Sequence, residues 1–110
     1  MQAAKPYRIR EYVAFGGLNP FREWLDGLAR TVKARVQARI LRLETGNLGD
    51  YKAVGGGVYE IRLDFGPGYR IYFGFDGDDL IILFCGGSKG SQQRDIRRAR
   101  NYWLDYMEEG

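Results

Sequence analysis

Two segments with alternating apolar and polar residues, 58–65 (VYEIRLDF) and 69–75 (YRIYFGF), constrain the fold of this chain most strongly. Alternation with a period of two is typical of a β-strand with one buried face. A Gly-Pro-Gly turn at 66–68 separates the segments, which predicts two neighbouring antiparallel strands. The face predicted to be buried carries Tyr59, Ile61, Leu63, Phe65, Tyr69, Ile71, Phe73 and Phe75. The face predicted to be open carries Glu60, Arg62, Arg70 and Tyr72.

The N-terminal half of the chain predicts one strand and two helices. Residues 7–15 alternate loosely, which favours a first strand. Asn19 and Pro20 form a helix-start signal for a short helix. A second helix is predicted over residues 31–44. Its apolar side chains recur at helical spacing and are Val32, Val36, Ile40 and Leu43.

The C-terminal half completes the fold prediction. Residues 80–85 predict a central strand buried on both sides, and Ser91 can cap a last helix. The predicted inward stripe of that helix is Ile96, Ala99, Trp103 and Met107. The order strand, two helices, three strands and helix predicts a single α+β domain over residues 1–110. We expect its helices to pack on one face of an antiparallel sheet.

Composition excludes several classes of site. Histidine is absent, which removes the commonest general acid–base group and the commonest metal ligand. The lone Cys85 excludes a disulfide within the chain and a cysteine metal cluster. Met1 is followed by polar residues, and the longest apolar run, 80–85, is far too short to cross a bilayer. We therefore expect a cytoplasmic protein without a membrane anchor.

The predicted polar face suggests phosphodiester chemistry that needs no metal. Glu60 is the candidate base for a ribose 2′-hydroxyl, because arginine stays protonated at neutral pH. Arg62 and Arg70 would clamp the phosphate and stabilise its developing charge. Lys89, in the loop after the next strand, would stabilise or protonate the leaving oxygen. The alternative is that these charges form ordinary cross-strand pairs that only keep the surface soluble.

Further contacts with RNA are expected around that face. The net charge is +3, and basic residues of the second and last helices, Arg94 among them, either extend an electropositive cleft or lie on ordinary solvated faces. Tyr72 is the aromatic side chain predicted to stack on a base. Lys52, predicted to lie in a loop near the site, is a further candidate phosphate contact.

Five motifs in this order resemble a known protein family. They are GNLGDYK at 46–52, GGGVYEIR at 55–62, GPGYRIYF at 66–73, CGGSK at 85–89 and QRDI at 93–96. Together they resemble the addiction-module killer proteins, a HigB-like branch of the RelE/ParE toxin superfamily. The resemblance extends from about Phe21 to about Trp103.

The resemblance implies a RelE-like fold and cleavage of messenger RNA, typically on the ribosome, without a cofactor. It also implies a cognate antitoxin, in this branch usually a helix-turn-helix DNA-binding protein. Arg70 matches the family's phosphate-binding arginine, and Arg62 and Lys89 match basic residues of the preceding strand and of the loop before the last helix. Glu60 stands where the RelE branch has a lysine. Asp95 stands near the place of that branch's C-terminal tyrosine and is therefore a further expected contact with RNA.

Two other functions remain open at this point. One is a ParE-type inhibitor of DNA gyrase, which has the same fold and needs no catalytic cluster. The other is a binding module without catalytic activity that only engages a regulator.

Overall fold

Five strands and three helices form the structure, a computed structural model that describes residues 5–109. The expectation drawn from Met1 therefore lies outside the described residues. In chain order the elements are β1 (Arg8–Glu11), α1 (Pro20–Asp26), α2 (Arg30–Glu44), β2 (Tyr51–Gly55), β3 (Val58–Arg62), β4 (Arg70–Asp76), β5 (Leu80–Gly87), a 3₁₀ turn (Lys89–Ser91) and α3 (Gln92–Glu109). Within residues 5–109, no helix combines the length and the apolar character needed to cross a membrane.

The strands form one sheet in the order β1-β5-β4-β3-β2. Neighbouring strands are antiparallel except for β1, which runs parallel to β5. The predicted α+β class is confirmed, and the architecture is compatible with a RelE-like fold. Strand β2 is an addition to the prediction, and it places Lys52 in an edge strand rather than in a loop.

Helices cover both faces of the sheet. On one face α1 and α2 enclose a core that includes Phe21, Val36 and Ile71. On the other face α3 packs Ile96 and Ala99 against the sheet. The prediction that all helices lie on one face is wrong. The physical reason lies in β5, whose side chains are apolar in both directions, so both faces must be covered to keep them from water.

A local signal accounts for the start of α1. The Asn19 side chain accepts a hydrogen bond of 2.9 Å from the backbone N–H of Arg22, which confirms the predicted cap of α1. The first strand ends earlier than predicted, at Glu11.

Met107 is 58% exposed, so its predicted inward position is wrong. Tyr106 takes that position instead and stacks on Trp103, with ring centroids 5.8 Å apart.

Candidate active site

The pairing of β2, β3 and β4 places the predicted polar residues on one face of the sheet. Glu60 lies opposite Tyr72 on β4 and opposite Lys52 on β2. Arg62 lies opposite Arg70, two residues further along β3. Side chains at directly opposed positions share a face, so the register brings these groups together as expected. That face, however, is the one covered by α3.

Glu60 is a buried carboxylate with cations beside it. Its side chain is 1% exposed, and its Oε1 lies 3.4 Å from Arg70 Nε and 3.9 Å from Lys52 Nζ. The Gln92 amide donates a hydrogen bond of 2.8 Å to Oε2. The negative charge is therefore compensated from three sides, as a buried charge requires.

A turn between β3 and β4 links Arg70 to Lys89. Arg70 Nη1 donates a hydrogen bond of 2.9 Å to the Gly68 carbonyl, and the Lys89 N–H donates one of 3.4 Å to the Pro67 carbonyl. Gly68 has a φ of +74°, and a Cβ at this position would lie 3.3 Å from both Arg70 Nη1 and Lys89 Cβ. Gly68 thus packs against both the Arg70 guanidinium and the first carbon of the exposed Lys89 side chain.

A cleft of ≈190 Å³ connects Glu60 to the surface. Its lining residues are Asp50, Tyr51, Lys52, Glu60 and Arg62. Lys52 and Arg62 are exposed, whereas Arg70 is only 4% exposed. We call Lys52, Glu60, Arg62, Arg70 and Lys89 the carboxylate–cation cluster. In such a cluster the carboxylate can accept a proton and the cations can bind a phosphate.

Tyr72 does not face solvent. The side chain is fully buried beneath α3, so its predicted exposure is wrong and no ring surface is left to stack on a base. Among residues 5–109, its hydroxyl has no hydrogen-bond partner. Burial, and after it the charge of Glu60, raises the pKa of Tyr72.

Asp95 is also buried, which contradicts its predicted contact with RNA. Its Oδ2 accepts a hydrogen bond from the Ser91 hydroxyl, and its Oδ1 lies 3.6 Å from Arg94 Nε and 3.8 Å from Arg98 Nη1. The carboxylate rests against Gly87 so closely that a Cβ there would overlap it. Asp95 therefore holds the start of α3 on β5, while the predicted RNA contact Arg94 remains exposed beside it.

Gln92 is the site residue that sequence reasoning missed. It is the first residue of α3 and reaches across to a strand 32 positions earlier in the chain. A glutamine at the start of a helix does not by itself indicate a functional contact. Only the packing of α3 reveals that Gln92 reaches Glu60. Within the described part of the chain, no group of three or more carboxylate or thiol side chains could hold a metal ion.

Two similarities to known proteins cover most of this chain. The family described as "Phage derived protein Gp49-like (DUF891)" matches residues 23–103, which include the whole carboxylate–cation cluster and Gln92. An uncharacterized protein of Haemophilus influenzae is 46% identical over 81 residues, which are 73% of this chain and 82% of that protein.

Proposed function

This chain belongs to the Gp49-like family of phage-derived proteins, and from that premise we propose that it is an RNA-cleaving toxin. The family is associated with toxin–antitoxin systems and is related to the RelE and HigB toxins. The proposed reaction is endonucleolytic cleavage of messenger RNA, which would stop translation. The proposed partners are the ribosome and a cognate helix-turn-helix antitoxin.

The observation that carries this proposal is the position of Glu60. Glu60 lines the ≈190 Å³ cleft, its Oε1 lies 3.4 Å from Arg70 Nε, and its Oε2 accepts a hydrogen bond from Gln92. A ribose hydroxyl entering the cleft would meet a carboxylate oxygen with a phosphate-binding cation beside it. Nucleophile activation and charge stabilisation are thus available at one place.

The cleavage step follows from these groups. Glu60 takes the proton of the 2′-hydroxyl as its oxygen attacks the adjacent phosphorus. The bond from phosphorus to the 5′-oxygen breaks, which leaves a 2′,3′-cyclic phosphate on one fragment. The 5′-oxygen of the other fragment takes up a proton, for which Lys89 is the proposed donor. Arg62 and Arg70 stabilise the extra negative charge that develops on the phosphoryl oxygens.

The test compares wild type with Glu60→Gln, which keeps the side-chain shape and removes the base. Purified protein is incubated with messenger RNA, with and without ribosomes, and fragment ends are assigned by primer extension and phosphatase sensitivity. We expect wild type to produce 2′,3′-cyclic phosphate ends and Glu60→Gln to cleave at least a hundredfold more slowly, about the contribution of one general base. Glu108→Gln, at an exposed position of α3, is the matched control.

Three outcomes would overturn the proposal. The first is equal cleavage by wild type and Glu60→Gln. The second is DNA breakage with intact messages when the protein is induced in cells, which would indicate inhibition of gyrase instead. The third is induction that leaves both translation and DNA intact, which would indicate a binding module.

A further inference from the structure

A second basic depression lies between α2 and the end of β3. It has a volume of ≈300 Å³ and is distinct from the cleft above Glu60. Its charged and aromatic lining consists of Arg35, Arg39, Arg42, Arg62, Asp64 and Phe65. We call it the arginine groove.

The charge of this groove is not balanced by its own residues. Four guanidinium groups face one carboxylate, that of Asp64. Across residues 5–109, none of Arg35, Arg42 and Arg62 has a carboxylate at ion-pair distance, whereas Arg8 and Arg22 each do. Like charges held close together repel, and a bound anion relieves that repulsion.

The arginines are held in place by groups other than carboxylates. Arg35, Arg39 and Arg42 follow one another at i, i+4 and i+7 on α2, so they lie on one face of the helix. The Arg35 guanidinium lies 3.9 Å from the centroid of the Phe65 ring. Arg39 donates hydrogen bonds to the carbonyls of residues 47 and 48. Burial, followed by the charge of Arg42, lowers the pKa of Arg39.

The arginine groove is continuous with the carboxylate–cation cluster. Arg62 lines both the groove and the cleft that Glu60 also lines. A polyanion bound in the cleft can therefore pass over Arg62 directly onto the arginine face of α2. A chain with regularly spaced negative charges fits this path better than a single small anion does.

We propose that the arginine groove binds phosphates of the same RNA strand, next to the one that is cut. This inference rests on the proposed function, because it takes the occupant of the Glu60 cleft to be RNA. Planar guanidinium groups suit phosphate oxygens, and the stacked Arg35 is pre-oriented for such a contact. An acidic segment of a partner protein is the competing occupant, and the test separates the two.

The test measures binding of 2′-O-methyl RNA, which cannot undergo the proposed attack, by fluorescence anisotropy over a range of salt concentrations. The variant is Arg35→Gln with Arg42→Gln, and the oligonucleotides are a trinucleotide and a dodecanucleotide. At low salt, we expect the dodecanucleotide to bind the variant about tenfold more weakly than it binds wild type. The slope of log affinity against log salt should fall by about 1.4, or about 0.7 for each lost phosphate contact. Affinity for the trinucleotide should be unchanged.

Matched variants separate charge from folding. Arg8→Gln with Arg30→Gln removes the same charge from exposed positions outside the groove and should leave dodecanucleotide binding within about twofold, because salt screens the attraction between RNA and charges that do not contact it. Arg35→Lys with Arg42→Lys keeps the charge and should restore most of the affinity and the salt slope. An equal loss in the Arg8/Arg30 control would overturn the inference.

Other outcomes are equally decisive. If the Arg35/Arg42 glutamine variant binds the dodecanucleotide like wild type, the groove is not an RNA site, even if messenger RNA is cleaved as proposed. If that variant instead loses affinity for poly-L-glutamate alone, the occupant is an acidic protein segment and the inference is wrong. If RNA binding weakens as expected but Glu60→Gln cleaves like wild type, the groove stands as an RNA site and only the proposed catalytic role of Glu60 fails.

Discussion

The side-chain amide of Gln92 donates a hydrogen bond of 2.8 Å to Oε2 of Glu60, which joins the first turn of α3 to strand β3. It is the contact through which the last helix reaches the candidate base. Because Glu60 is buried, the loss of this donor leaves a carboxylate oxygen without its partner in a region where water is scarce.

We expect Gln92→Ala to lower the free energy of unfolding by about 1–3 kcal/mol, the cost of leaving a buried polar group unsatisfied. Urea denaturation measures this change. The neighbouring Gln93→Ala, at an exposed position, is the control and should stay within about 0.5 kcal/mol of wild type. Equal effects of the two substitutions would show that the hydrogen bond does not contribute to stability.

The buried pair of Glu60 and Arg70 predicts non-additive effects on stability. Arg70→Met alone leaves the carboxylate with less compensation and should cost about 3–5 kcal/mol. In a Glu60→Gln background the same substitution should cost clearly less, because no buried negative charge remains. A double-mutant cycle of unfolding free energies measures the coupling. Additive costs would contradict the electrostatic account of this pair.

The proposed role of Arg70 predicts a kinetic effect as well. Arg70→Ala should lower kcat/KM for messenger RNA by an amount equivalent to about 2–4 kcal/mol of transition-state stabilisation, the scale of one preorganised donor. Arg70→Lys should recover part of this loss, since it keeps the charge but not the guanidinium geometry. Rates are compared at a temperature where both variants are folded by circular dichroism. Wild-type rates in Arg70→Ala would exclude this phosphate contact.

Removal of the Tyr72 hydroxyl is expected not to destabilise the fold. This buried hydroxyl lies beside the Glu60 carboxylate but makes no hydrogen bond of good geometry among residues 5–109, so Tyr72→Phe removes a poorly satisfied group. We expect the free energy of unfolding to stay the same or to rise by up to about 2 kcal/mol. Tyr106→Phe is the control, because the Tyr106 hydroxyl donates a hydrogen bond to Asp76 and its removal should destabilise the fold. Thermal unfolding of both variants checks this, and a lower Tm for Tyr72→Phe would contradict it.

We expect Glu11 to contribute to the loss of folding stability in acid. Hydrogen bonds from Arg22 and Asn19 lower its pKa in the folded protein from the ordinary value of 4.5, against the opposing effect of burial. A lowered pKa stabilises the fold above pH 4.5, and this contribution is lost as the pH falls through the folded-state pKa. The difference in unfolding free energy between wild type and Glu11→Gln should therefore be largest near neutral pH and narrow below pH 4.5. A constant difference across this range would contradict the assignment.

Much of the local structure follows from the sequence. The alternation over residues 58–65 correctly separates Glu60 from Ile61, because successive side chains of a strand must point to opposite faces. The Asn19 cap is equally local, since it depends on groups three residues apart. Strand β2 escaped prediction because it is a largely exposed edge strand whose residues show no marked alternation.

The environment of the candidate site was decided by tertiary structure. The sequence determined that Glu60, Arg62, Arg70 and Tyr72 share a face, since that depends only on the period of two and the pairing of adjacent strands. Whether water or a helix lies over that face depends on where α3 packs. The apolar stripe of an amphipathic helix shows which side of the helix is buried, but not which face of the sheet it covers. The packing of α3 buries Tyr72 and brings Gln92 to Glu60, because it removes the apolar stripe of α3 and the apolar residues of β5 from water together.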